Sequence, residues 1–213
     1  MFDTVGTSSA SHIAFAMNHT QSLYLFMLNV VMMGWNILLS VVPIILARWL
    51  NRTRSTFIQI ILFMLWLIFL PNTLYMVTDI IHLFNPKFAQ LTFVFQILGI
   101  WLYMIVIFLA VFTFILSIKP VLMRYRVFLD GLTRSYKLLL FSIFSLLIGF
   151  AISMGRFQRT NTWYIFTQPM RVVQDVFASL TDPTVALLAL AYSVGAFVII
   201  LFTVRHDVNQ LSS

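Results

Sequence analysis

Four apolar runs, each long enough to cross a bilayer, take up most of this chain and leave few folds open to it. They extend over about Ser22–Ala47, Leu91–Ile118, Leu138–Met154 and Val185–Val204. A spanning helix needs about 20 mostly apolar residues at a rise of roughly 1.5 Å each. Inside hydrocarbon every backbone N–H and C=O must bond within the protein, and a continuous helix meets that demand locally. Composition closes the soluble alternative. Only 9% of the residues are charged and 61% are hydrophobic, whereas a soluble domain carries about 25% charged residues. Disorder needs the opposite bias. The expected class is all-α, a polytopic membrane helical bundle whose solvent on most sides is the lipid bilayer. One transmembrane domain is expected over residues 22–205, after an extracytoplasmic segment at 1–21 and before a cytoplasmic tail at 206–213.

A fifth span has to be assembled from an interrupted stretch. Phe57–Leu70 is apolar but covers only about 21 Å as a helix, too short to cross. The helix must therefore run on through Pro71-Asn72 to about Val77. Proline removes a backbone donor and clashes with the preceding turn, which predicts a kink or break near Leu67–Asn72. Broken helices persist in a bilayer where protein or water satisfies the freed groups. A functional site is one reason for them; an ordinary structural kink is the more frequent one.

Charge gives the orientation. The formal net charge of +7 does not point to nucleic acid in a chain of this kind; it reports basic residues gathered in cytoplasmic loops. With the N-terminus outside, the inner side receives Arg48, Arg52, Arg54, Lys119, Arg124, Arg126, Arg134, Lys137 and Arg205. The outer side receives only Lys87, Arg156, Arg159 and Arg171. Nine against four predicts N-terminus outside and C-terminus inside, as five spans require. The first 20 residues hold no Lys or Arg, so the first span is not expected to be a cleaved signal. Cysteine is absent, which excludes disulfides, thiolate metal ligands and a Cys nucleophile.

Two connections read as more than loops. Residues 119–137 mix basic side chains with Leu122, Met123, Phe128 and Leu129, as an interfacial segment on an anionic leaflet would, with specific headgroup binding as the alternative. Residues 168–181 place Met170, Val173, Val176, Phe177 and Leu180 at helical spacing, which predicts a short outer interfacial helix with an Arg171–Asp175 pair.

Polar residues at membrane depth are costly and therefore informative. Asn72, Tyr75, Asp79 and His82 are spaced three, four and three apart, and form one stripe if the helix resumes after Pro71. Asp79 and His82 are the candidate catalytic residues, as a base and its orienter. The structural reading is that Asp79 orients His82 or pairs with an Arg. No cofactor or metal centre is expected; a zinc set would need His12 and His19 beside His82 and Asp79. Past the fourth span, Arg156 and Arg159 lie one turn apart and could grip an anionic headgroup, with Asn161 and Trp163 beside them. The alternative is that both arginines snorkel to the headgroups while Trp163 joins the aromatic belt. Ser142, Ser145, Gly149 and Ser153 form a small-residue seam that permits close packing and, continued, turns Arg156 into the bundle. The first span offers Asn29, Asn36 and Ser40 on one face. Spans one, two and four are therefore expected to share a polar pocket near the outer face, with Arg156 within salt-bridge reach of Asp79.

These residues resemble an uncharacterised integral-membrane family known as domain of unknown function 1361. Three blocks carry the likeness: Trp35-Asn36 with Pro43; Phe69-Leu70-Pro71-Asn72 with Tyr75, Thr78-Asp79 and His82-Leu83; and Gly155-Arg156-Phe157 with Arg159, Asn161, Trp163 and Pro169. The chain departs where the family usually places Asp after the Trp, since Tyr164 stands there, and its third span lacks an acidic residue near its start. Both departures count against a two-acid mechanism. The resemblance implies a prokaryotic plasma-membrane protein and implies no activity.

Three functional classes remain. The first is a non-catalytic membrane partner or assembly factor, in which the polar stripes lock helices together. The second is an intramembrane enzyme acting on a lipid or lipid-linked substrate at the outer leaflet, with Asn36, Asn72, Tyr75, Arg156, Arg159, Asn161 and Trp163 as binding residues. The third is a small transporter, oligomeric because the chain shows no internal repeat.

Overall fold

The computed structural model describes the backbone of residues 4–210 and the side chains of residues 20–205 apart from Lys87. His12 and His19, and most of the expected segments at 1–21 and 206–213, lie outside the described side chains. Among the described residues the chain is helical apart from short connections, without a strand. In order it forms α1 (Thr4–Arg52), α2 (Thr56–Phe69), α3 (Pro71–Tyr75), a 3-10 segment (Met76–Phe84), α4 (Pro86–Ala89) and α5 (Phe93–Arg124). There follow α6 (Arg126–Gly131), α7 (Arg134–Phe157), α8 (Tyr164–Thr167), α9 (Pro169–Thr181) and α10 (Pro183–Gln210).

Five segments are long and apolar enough to cross a membrane: Thr20–Arg52, Thr56–Phe84, Phe93–Arg124, Arg134–Phe157 and Pro183–Arg205. The expected spans are all present, and the differences lie at their ends. The second runs on to Phe84, so Asp79 and His82 fall within it rather than beyond Val77. The third passes through Pro120 to Arg124. Residues 119–137 comprise the end of α5, the short α6 and the start of α7. Proline also starts helices here. Pro71 opens α3 within the second span, and Pro169 and Pro183 open α9 and α10, where after a loop a missing N–H leaves no bond unmade. Asp182 caps the last of these, its Oδ1 accepting from the N–H groups of Thr184 at 2.8 Å and Val185 at 3.4 Å.

α1 packs against α2 and α5, and α7 packs against α10; α3 and the 3-10 segment are wedged among α1, α5 and α7. Lipid tails are as apolar as leucine, so helices associate here through close contact and internal hydrogen bonds. Trp66 supplies both at the centre of the core. Its ring stacks on Phe144 at 5.8 Å and its Nε1 donates to Ser117 Oγ at 2.8 Å. The small-residue seam of α7 serves α10: a Cβ at Gly149 would collide with Ala189 and Ser193. The expected approach to the second span is made at the continuation of the seam, where Gly155 meets the Tyr75 ring and Arg156 meets Asp79. Large apolar side chains such as Trp101, Phe108 and Leu187 cover the outside of the bundle, as a lipid-facing surface requires.

α9 is built inside out for water. Ser179 is buried and Asp175 half-buried on its inner side, while Met170, Val173, Phe177 and Leu180 face away from the protein. A surface helix in water turns its apolar face inward; this outward face suits the hydrocarbon boundary. The expected Arg171–Asp175 pair forms at 3.8 Å.

Candidate functional site

Pro71 cannot donate to the carbonyl of Leu67, and the helix loosens from there. Thr73 Oγ1 donates to Leu70 O and Thr78 Oγ1 to Tyr75 O, each at 2.7 Å. From Met76 the backbone winds as a 3-10 helix for 9 residues. Runs beyond about 4 residues are uncommon, and those inside longer helices often mark a hinge or strain. The tighter winding changes which side chains share a face. At about three residues per turn, Met76, Asp79 and His82 eclipse one another. The expected single stripe is thereby divided. Asn72 and Tyr75 turn towards the end of α7 and the connection after it, whereas Asp79 and His82 turn towards Arg156, with Asn36 of α1 beside Asp79.

Asn36 Nδ2 donates to Asp79 Oδ2 at 3.1 Å, and Arg156 Nη1 donates to Asp79 Oδ1 at 3.4 Å. Both carboxylate oxygens of Asp79 are thus engaged, by α1 on one side and α7 on the other. The Asp79 side chain is 8% exposed and that of Arg156 is 17% exposed. Arg156 Nη1 and Nη2 both stand 3.5 Å from His82 Nε2. A guanidinium only donates, so in this contact His82 Nε2 accepts and the ring proton belongs on Nδ1. His82 and Asp79 themselves are 3.9 Å apart. Arg156 lies in the last turn of α7, where a cation also meets the negative end of the helix dipole.

A second set of contacts clamps the neighbouring turn. Asn72 Nδ2 donates to Thr162 Oγ1 at 3.1 Å, and Tyr75 OH donates to Gly155 O at 3.4 Å. A Cβ at Gly155 would stand 3.1 Å from the Tyr75 ring, closer than most neighbours tolerate. Thr160 Oγ1 donates to Asp175 Oδ2 at 2.6 Å, which ties this connection to α9.

The remaining sequence candidates are placed differently. Arg159 has a left-handed backbone, with φ of 53°, and its exposed side chain makes no ion pair or hydrogen bond among the described residues. Asn161 and Trp163 contribute backbone carbonyls that build the turn into α8, accepting from Tyr164 N–H at 2.9 Å and Phe166 N–H at 3.0 Å. The Trp163 ring meets Tyr164 edge-on at 6.2 Å, and the Arg171 guanidinium lies 4.5 Å over the Tyr164 ring. No group of three or more potential metal ligands converges among the described residues.

Sequence reasoning missed Tyr103. It is 2% exposed, packs in a cluster with Met33 and Met76, and its hydroxyl has no hydrogen-bond partner. The available signal was its place on the buried face of α5, at helical spacing with Gly99, Val106 and Ala110. Thr162 and Thr160 were missed because their partners are distant in sequence.

A family model described as protein of unknown function DUF1361 matches residues 35–202. The chain belongs to this family. No curated protein and no solved structure matches the chain. Every residue of the Asn36, Asn72, Tyr75, Asp79, His82 and Arg156 cluster lies within the matched region, as do Arg159, Asn161 and Trp163.

Proposed function

We infer that this is a non-catalytic membrane partner or assembly factor. In this reading it sits in a prokaryotic plasma membrane with its N-terminus outside and its C-terminus in the cytoplasm. The orientation is supported by the nine-to-four division of basic residues between the two sides. The non-catalytic reading is supported by one observation above the others: both oxygens of Asp79 are already bonded, to Asn36 and to Arg156. A carboxylate held this way joins α1, the second span and α7, and its engagement by the protein's own side chains is what a structural lock requires. Polar contacts between helices are a common means of holding membrane bundles together.

A second reading is favoured by His82, whose side chain is 44% exposed beside the Arg156 guanidinium. There an anionic headgroup could replace His82 as the partner of Arg156 and leave the imidazole free as a base. One experiment separates the two. A deletion strain is complemented with the His82→Gln chain, and membrane abundance, growth and the lipid profile are measured. The non-catalytic reading expects full complementation and no lipid species that accumulates on deletion. Loss of function at normal abundance, with a lipid precursor accumulating, would overturn it in favour of the enzyme.

A further inference from the structure

At the end of the bundle away from Asp79, α1 and α5 part to leave a groove of about 520 Å³. Arg48 and Asn51 of α1 face Lys119 and Arg124 of α5 across it, and Leu116 and Met123 line it as well. Among the described residues no acidic side chain lines the groove. Arg48 is exposed and makes no ion pair or hydrogen bond among the described residues. Arg124 is held in place: Nη1 donates to Asn51 O at 3.3 Å and Nη2 to Thr53 O at 3.5 Å. Asn51 Nδ2 donates to Pro120 O at 3.0 Å, so the two walls are tied at a fixed separation.

Arg48 and Arg124 are like charges on facing walls of the groove, and an anion entering between them relieves their repulsion. The apolar part of the lining narrows the choice of anion. Met123 is 60% exposed and opens the groove towards the lipid-facing surface. We propose that this groove binds an anionic glycerophospholipid, with the phosphate diester between Arg48 and Arg124 and an acyl chain along Leu116 and Met123. Basic pockets between spanning helices hold such headgroups at cytoplasmic surfaces. The proposal is independent of whether the Asp79 cluster is catalytic, since it rests on other residues at the other end.

The test uses the full chain in uncharged detergent, with native mass spectrometry against phosphatidylglycerol and phosphatidylcholine at equal concentration. Phosphatidylglycerol is expected to be retained in preference. Arg48→Gln should weaken its retention about fivefold, the factor that about 1 kcal/mol per surface cation represents, and leave phosphatidylcholine unchanged. Arg48→Gln is the decisive variant, because Arg124 also fastens the α1–α2 turn. Arg54→Gln with Arg134→Gln removes two charges at the same end but outside the groove, and should leave the preference intact. Inorganic phosphate at the lipid concentration should not displace the lipid. Equal retention of the two lipids, an equal loss in the Arg54/Arg134 control, or displacement by inorganic phosphate would each overturn the assignment.

Discussion

Asp79 and Arg156 show what one buried pair contributes to a helix bundle in lipid. Neither charge is tolerable alone at this depth, and each side chain has few other places to go. Truncating one partner leaves the other uncompensated, at a cost of roughly 3–5 kcal/mol. Asp79→Ala and Arg156→Ala should each lower the amount of folded protein in the membrane and its thermal stability in detergent. The double substitution should be milder than the sum, because the second change removes a charge already left unpaired. Strict additivity would show that the two side chains do not rely on each other. Gly149 makes the opposite case, where size and not charge decides. Its missing side chain is what allows α7 to lie against Ala189 and Ser193 of α10. Gly149→Val should destabilise by about 1–3 kcal/mol, the usual range for overpacking. Thermal unfolding in detergent checks this, and unchanged stability would mean that the α7–α10 contact yields readily.

Among the elements, the second span and α9 depart most from plain helices. The 3-10 winding after Tyr75 lengthens the span, since it rises about 2.0 Å per residue against 1.5 Å for an α-helix. That winding also brings Asp79 and His82 into line. Thr78 helps to hold the turn through its bond to Tyr75 O and is itself buried. Thr78→Val should therefore lower thermal stability by about 0.5–1.5 kcal/mol, the net worth of such a bond. For α9 the outward apolar face makes a positional prediction. The chain has no cysteine, so each introduced one can carry a single nitroxide label. Labels at Phe177→Cys and Leu180→Cys should be relaxed by oxygen dissolved in lipid, and a label at Gln174→Cys by an aqueous nickel chelate. Equal aqueous exposure at all three positions would remove α9 from the membrane surface.

For the whole molecule, what is tested is how it sits in the membrane. Single cysteines at Thr53 and Arg126 should resist a membrane-impermeant thiol reagent in intact cells, and one at Thr160 should react. The reverse pattern would invert the proposed orientation, and with it the side to which the Asp79 cluster and the Arg48 groove are assigned. The two polar regions stand at opposite ends of the bundle because consecutive spans run antiparallel. The second span ends near Asp79, the third starts beside it at Phe93, and that third span carries Arg124 to the far end.

Much of this architecture was readable in the residues, and what was readable shares a physical origin. The apolar spans follow from a local sum, because hydrocarbon demands about 20 apolar residues wherever a helix crosses. The interruption at Pro71 follows from a missing N–H, and the α9 helix from its periodicity. The approach of Arg156 to Asp79 was also foreseeable, since two charges at one end of a bundle have little choice of partner. What the tertiary structure decided was rotation about the helix axes. Whether residues 76–84 wind as α or 3-10 depends on how α1, α5 and α7 pack around them, and that winding separated Asn72 and Tyr75 from Asp79 and His82. The left-handed turn at Arg159 likewise has no signature in the residues around it. The same packing set Gly149 against α10 and buried Tyr103 in a cluster with Met33 and Met76. Contacts of this kind join residues far apart in the chain, so no local pattern around either partner records them.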